Sequence, residues 1–348
     1  MKKTGKHILL IRLSSMGDVA MTVPVAEQLR RDNPELKISI LTRKGFQDFF
    51  RNIPDINFIE FDPDNRHKGF KGLINLYKEL QKTDIDCVAD LHDVLRTKLL
   101  RALFMAGGIP VSHIDKGRKS KHALTRRTNK RLIRLKTTVE RYCDTINRLG
   151  YKTELSGVTE RQTYPLPEYI LETVGAKTGK WIGIAPFAKH KGKIYPIPLV
   201  DKLISILNHE YDRVYIFGGG THEKSFAEGM EKRHNKVTSV IGKMTMRDEM
   251  ALISNLDVMI TMDSATMHIS SLVGVPVVSV WGATHPYAGF YGYGQSAQNA
   301  IQIDMPCRPC SVYGNKPCMF GDYRCMTSIR PETIADAARR NTTATSAE

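Results

Sequence analysis

The chain has 348 residues, of which 41% are hydrophobic and 25% charged. That balance excludes disordered and fibrous classes, and the length suits two α/β domains of about 150 residues each. Lys and Arg number 51 against 36 Asp and Glu, but the excess is uneven: residues 1–150 hold 30 basic and 17 acidic side chains, and the remainder hold 21 and 19. The first half is therefore expected to face something anionic.

Met1–Lys6 is basic, yet the apolar run after it stops at Arg12, too short for a secretory signal core. His7–Arg12 reads as a buried strand, and Val19–Arg31 has helical apolar spacing. Ile38–Thr42 and Cys87–Leu91 read as further strands, and Val94–Ala106 as a helix. Alternating strand and helix implies parallel sheets covered on both faces. After the Pro-rich stretch at Tyr164–Glu168 the pattern restarts, with strands expected at Trp181–Ala185, Arg213–Phe217, Val258–Thr261 and Val277–Val280. Leu272–Trp281 is the most apolar stretch, about ten residues long and half of what a membrane helix needs. Pro331–Arg340 reads as a helix, followed by a Thr/Ala/Ser tail expected to be disordered. The economical architecture is α/β, two doubly wound sheets with ligands at the carboxyl ends of their strands.

Chemistry concentrates in the loops after these strands. Leu13-Ser-Ser-Met-Gly-Asp18 has one glycine and so lacks the dinucleotide fingerprint. It carries a carboxylate at a helix start, which suits either a helix cap or a general base, with Gly17 allowing a tight turn. Pro186–Pro196 is rich in lysine and ends on Lys193-Ile-Tyr-Pro; such a run is either solvated surface or a phosphate site. Gly218-Gly-Gly-Thr-His-Glu223 suits a tight turn or a close ligand approach. Met262-Asp-Ser-Ala-Thr-Met-His268 opens a helix whose free N–H groups suit an anion.

Ile11-Arg-Leu-Ser-Ser-Met-Gly-Asp-Val19, with Thr22-Val-Pro-Val25, closely resembles the opening of the family 9 glycosyltransferases, the ADP-heptose:lipopolysaccharide heptosyltransferases and their relatives. The later segments are similar to that family's motifs in the same order, over roughly residues 7–335. Tyr195 stands where the family has Trp, and Ala265 where it has Gly. The resemblance implies a GT-B fold, two Rossmann-like domains facing across a cleft. The expected boundaries are 1–168 for an acceptor-binding domain, 169–330 for a nucleotide-sugar-binding domain, and 331–348 for a terminal helix and tail.

By the same resemblance Asp18 is the catalytic base. Lys193, Glu223, Asp263, Ser264, Ala265 and His268 bind the donor, and Ser15, Gly17 and Arg96 face the acceptor. Arg96, in Asp90-Leu-His-Asp-Val-Leu-Arg96, also reads as the exposed face of its helix. The implied reaction is inverting transfer of heptose or a similar sugar from a nucleotide sugar, ADP-heptose, to an anionic lipopolysaccharide core or lipid A precursor, with no cofactor required for catalysis. Another GT-B reaction such as epimerisation is the alternative enzyme, and a nucleic-acid-binding protein the alternative class.

Lys116–Lys136 carries ten basic residues and no acid. With no aromatic for base stacking, nucleic acid is not the expected partner; an anionic membrane-anchored acceptor is. The expected location is cytoplasmic, peripheral at the inner face of the membrane. Finally, Cys307, Cys310, Cys318 and Cys325 fall within nineteen residues. Their spacing suits a structural zinc, with reduced thiols or disulfides as alternatives.

Overall fold

The computed structural model describes residues 6–345. Most of the basic Met1–Lys6 stretch and the last three residues of the tail lie outside them. The chain divides into two compact units, each built on one parallel sheet. One takes residues up to Gly117 together with Lys136–Ser156; the other takes Arg118–Leu135 and the chain from Gly157.

The first unit's strands are β1 (His7–Ile11), β2 (Lys37–Thr42), β3 (Ile56–Glu60), β4 (Cys87–Asp90) and β5 (Val111–His113), in the order β3-β2-β1-β4-β5. All pair in parallel. β1 is buried at every position, as a central strand covered on both faces must be. Leu9, Ile11 and Val88 pack against Leu73, Leu76, Leu80, Leu100 and Phe104 from the helices Gly69–Leu80 and Leu95–Ala106. The single helix expected over Val19–Arg31 is two, Met16–Ala20 and Val23–Asp32. Pro24 lacks an amide hydrogen and is accepted only in a first helical turn, so the second helix starts just before it.

The second unit has β6 (Trp181–Ala185), β7 (Arg213–Ile216), β8 (Val237–Ser239), β9 (Val258–Met262), β10 (Val277–Val280) and β11 (Ala300–Ile301). Their order is β11-β10-β9-β6-β7-β8, again all parallel. Its core runs from Ile182, Ile184, Val258 and Ile260 to Leu203, Leu207, Ile334 and Ala338.

Two sequence expectations change here. The basic segment 118–135, expected in the first domain, packs with the second unit. Leu124 and Leu135 bury against Ala288 with Phe290 beside them, and the Lys130 ammonium donates to the carbonyls of Pro306 (3.0 Å) and Arg308 (2.9 Å). Eight of the ten basic residues of Lys116–Lys136 therefore belong to that unit, and charge by sequence half does not map onto the units. Residues 341–345, expected in a disordered tail, are helical: the final helix runs Pro331–Thr345. Its end is held by paired amides of Asn341 and Asn299 (2.8 and 3.0 Å) and by Thr342 against the buried Tyr211 hydroxyl (3.0 Å).

In each sheet the strand order reverses direction at one place, between β1 and β4 in the first and between β6 and β9 in the second. Ligands of open α/β sheets bind beyond the carboxyl ends of the strands at such points. Asp18 and His92 follow β1 and β4; Lys193 and Asp263 follow β6 and β9.

Candidate active site

In the first unit the Ser14–Ser15 peptide bond is cis, and Ser15 is the N-cap of the helix Met16–Ala20. Asp18 is therefore the third helical residue, not the cap. Its Oδ2 accepts the Ser15 hydroxyl at 2.7 Å and the Ser15 N–H at 3.4 Å, and it ion-pairs with Arg12 at 2.7 Å. Tyr142 donates its hydroxyl to the Asp18 carbonyl at 3.2 Å. The carboxylate is thus fixed in orientation yet keeps 26% of its side-chain surface exposed, so a substrate can still reach it. Capping and catalysis do not exclude one another here, because the capping contacts converge on one oxygen. Gly17 lies within the helix rather than in the turn before it, so the turn is not made there.

Arg12 is the residue the sequence reading left without a role. Its guanidinium bridges the two loops of the switch point, donating to the Leu91 carbonyl at 2.8 Å while holding Asp18. Burial opposes its charge, but Tyr142, Asp18 and Asp90 outweigh that and hold Arg12 above its ordinary pKa. Such a bridge is visible only once β1 and β4 are known to be neighbours. The one local signal is a charged residue directly after the apolar run Ile8–Ile11.

Beyond β4, the buried Asp90 accepts the backbone N–H groups of His92 and Asp93 at 2.9 Å each, and Arg101 stands 3.3 Å from its other oxygen. That turn points the chain into the helix Leu95–Ala106, with Arg96 exposed in its first turn. Arg96 stays a surface cation; the ion pairs of this turn are made by Arg101 and Lys98. His92 is buried and its Nδ1 has no hydrogen-bond partner. Burial, then the Arg12 and Lys116 cations, lower its pKa to about 3, so the imidazole is neutral at physiological pH.

This has a measurable consequence. An unfolded imidazole takes its proton near 6.5, so between about 6.5 and 3 the unfolded chain binds more protons than the folded one. The stability linked to His92 is complete above 6.5 and is lost as the pH falls through that window. His92→Gln should flatten the decline of the urea midpoint between about pH 7.5 and about pH 4.5. An unchanged slope would show that His92 takes no part.

In the second unit Lys193 ends a short 3-10 turn after β6, and its ammonium lies 2.8 Å from Asp263 Oδ2 at the end of β9. The switch point is closed by an ion pair between two predicted donor residues. Asp263 is almost fully buried, with only 4% of its side chain exposed. The lysine stem is packed as well: a Cβ on Gly314 (φ +75°) would lie 2.6 Å from Lys193 Cγ, so that position needs glycine. Tyr195 is fully buried and donates to the Ile329 carbonyl at 2.6 Å, a packing role rather than ligand contact.

Ser264 occupies the N-cap position of the helix Ala265–Leu272, but its hydroxyl makes no capping bond and is shielded without a partner. The helix start next to the ammonium therefore keeps its N–H groups for an anion. Ala265 takes ordinary helical backbone, so the turn needs no glycine there. His268 is buried in the second turn of the same helix.

After β7, Gly220 (φ +87°) starts the helix Thr221–Arg233, and Glu223 accepts the Gly219 N–H at 2.7 Å. Phe187, Ile194, Ile197 and the segment Gly219–Glu223 enclose a pocket of about 310 Å³. That is the lower end of small-molecule sites, with an apolar wall facing a carboxylate and a hydroxyl. The structure thus joins Lys193, Asp263 and Ser264 at one point and sets Glu223 in a pocket lined from the same β6 loop.

The structure brings the four clustered cysteines to one place. All are free thiols, so the disulfide alternative is not realised. They border one cavity of about 20 Å³ with Arg308 and Phe320, but among the described residues no three His, Cys, Asp or Glu side chains are placed to hold a metal. Burial raises the Cys310 thiol and pushes Cys325 up to about 11.

Comparison with known proteins gives the family and the fold. The model of "Glycosyltransferase family 9 (heptosyltransferase)" matches residues 73–319. The lipopolysaccharide core heptosyltransferase OpsX of Haemophilus influenzae is 20% identical over 288 residues, 81% of this chain and 80% of that protein. Among solved structures, a family 9 glycosyl transferase from Veillonella parvula superposes with a TM-score of 0.77 at 20% identity, covering 99% of both chains. Escherichia coli heptosyltransferase WaaC with ADP superposes at 0.68 and 17%, covering 96% of this chain and 99% of that one. The fold is GT-B, α/β with two Rossmann-like parallel-sheet domains, and the chain is a glycosyltransferase belonging to family 9, the heptosyltransferase family.

Proposed function

We propose that this enzyme transfers heptose from ADP-heptose to an anionic inner-core acceptor of lipopolysaccharide, inverting the anomeric centre in one displacement. The observation that carries the reading is the switch point of the second sheet. A partly buried ammonium, Lys193, ion-paired to the buried Asp263, stands beside an uncapped helix start at Ser264, with a nucleoside-sized pocket lined from the same β6 loop.

In this reading the pocket takes the nucleoside, and Glu223 accepts hydrogen bonds from its ribose hydroxyls. Lys193 and the N–H groups beyond Ser264 bind the diphosphate and stabilise the charge that grows on it as the anomeric C–O bond breaks. Asp263 holds the ammonium in place, and His268 completes the donor site. On the acceptor side Asp18 takes the proton from the attacking hydroxyl as the new C–O bond forms on the face opposite the diphosphate. Ser15 and Arg12 keep its carboxylate oriented, and Arg96 with Gly17 at the helix start meets the anionic acceptor. A lysine and a helix start supply the charge that this step needs, so turnover should persist in excess EDTA.

The test is a panel of nucleotide sugars with and without a deacylated lipopolysaccharide core acceptor, following release of nucleoside diphosphate. The expected result is acceptor-dependent release from ADP-heptose in preference to UDP- and GDP-sugars. Conversion of a nucleotide sugar to its epimer without acceptor would replace this reading with the epimerase one.

A further inference from the structure

We infer that the exposed turn Arg131–Arg134 is a bilayer-docking surface, in which Leu132 and Ile133 enter the lipid interface while the arginines around them bind anionic headgroups. Leu132 and Ile133 are 51% and 58% exposed, although both are large aliphatic residues. Arg127, Arg131 and Arg134 are exposed around them, and no acidic side chain lies anywhere between Asp115 and Glu140. An apolar pair inside a cationic surface matches the two signals that stable peripheral binding requires.

The turn is built rather than loose. The Arg131 N–H bonds to the Ala123 carbonyl and the Leu135 N–H to the Tyr287 carbonyl, both at 3.0 Å, so each side of the apolar pair is tied down. Leu124 and Leu135 bury beneath it, Lys130 is held by two carbonyls, and the Lys121 ammonium sits 4.1 Å over the Phe290 ring. Of the four large aliphatic residues in the segment, Leu124 and Leu135 are buried and Leu132 and Ile133 are left outward. A solvated basic strap has no need of them, and a nucleic-acid surface would offer aromatic rings, which the segment lacks. Charge complementarity therefore selects an anionic bilayer. This inference extends the proposed function, since an acceptor anchored in lipid is met at such a surface.

The experiment is co-sedimentation of the full chain with vesicles of phosphatidylcholine alone or mixed with phosphatidylglycerol. The unaltered protein should pellet with the mixed vesicles and not with the neutral ones. Arg131→Gln/Arg134→Gln should weaken that binding about 25-fold, from about fivefold per basic residue near the surface. Leu132→Ser/Ile133→Ser should weaken it on the order of tenfold while leaving the thermal midpoint and the turnover of a deacylated acceptor unchanged.

Equal binding by both variants would overturn the assignment of the surface to this turn. Loss in the arginine variant but not in the Leu/Ile variant, with the same pattern on RNA, would make it a polyanion surface and overturn the bilayer reading. Self-association that buries Leu132 and Ile133 would overturn it too. Because sedimentation requires no sugar donor, vesicle binding without heptose transfer would sustain this surface and remove the proposed reaction, and the converse would remove the surface alone.

Discussion

Asp18→Asn should lower turnover by about 10²–10⁴-fold, the usual contribution of a positioned general base, while leaving ADP affinity unchanged. The amide matches the carboxylate in size and can still accept from Arg12 and Ser15, whose donors stand 2.7 Å from Oδ2, so the loop keeps its shape. What it loses is the capacity to take a proton from the attacking hydroxyl. ADP affinity should hold because the residues proposed to grip the nucleotide all belong to the other unit. Steady-state kinetics on ADP-heptose with a deacylated core acceptor, alongside calorimetric titration with ADP, separate the two quantities. Turnover within a few-fold of normal would remove Asp18 from the base role, and loss of ADP binding would show that the variant had disturbed more than that role.

The second large effect is expected at the Lys193–Asp263 pair. Lys193→Met should reduce turnover by about 10²–10³-fold, comparable to deleting one preorganised donor that stabilises developing charge, and weaken ADP binding by about ten- to a hundredfold. It should also destabilise the fold, because the Asp263 carboxylate would be left buried without its cation. A cost of about 3–5 kcal/mol is expected. The double variant Lys193→Met/Asp263→Asn removes that stranded charge and should recover most of the stability but none of the activity. Thermal melts of the single and double variants give the structural part, and kinetics the chemical part. If activity returned together with stability, the pair would be a structural device with no part in binding the diphosphate.

Much of this arrangement is legible before any coordinates. β1, β6, β9 and β10 are short, wholly buried runs, apolar except for His7, Thr261 and Ser279, because central parallel strands are covered on both faces. The loops that follow them sit where a doubly wound sheet puts its ligands, and within those loops it is the resemblance to family 9 that singles out Asp18, Lys193, Glu223 and Asp263. The edges are harder to see. β3 is only partly buried and β8 and β11 have three and two residues, too few for a periodic signal to rise above composition.

Long-range contacts account for the other differences. Residues 118–135 precede the Pro-rich stretch, yet Leu124, Lys130 and Leu135 find partners more than 150 positions later. The terminal helix continues through Asn341 and Thr342 because Asn299 and Tyr211 meet it, which local propensity could not foresee. Arg12 belongs to the same group: its carbonyl partner at Leu91 is 79 residues away. The cysteines show the converse. Their close spacing does carry through to the structure, which brings all four thiols to the rim of one cavity.

The most direct test of the mechanism is the anomeric configuration of the transferred sugar, read from the one-bond carbon–proton coupling of the product by NMR. One displacement, with Asp18 as base and the diphosphate leaving toward Lys193 and the Ser264 helix start, requires the anomer opposite to that of the donor. A product of the same configuration as the donor would require two displacements or attack from the leaving-group side, and would contradict the account.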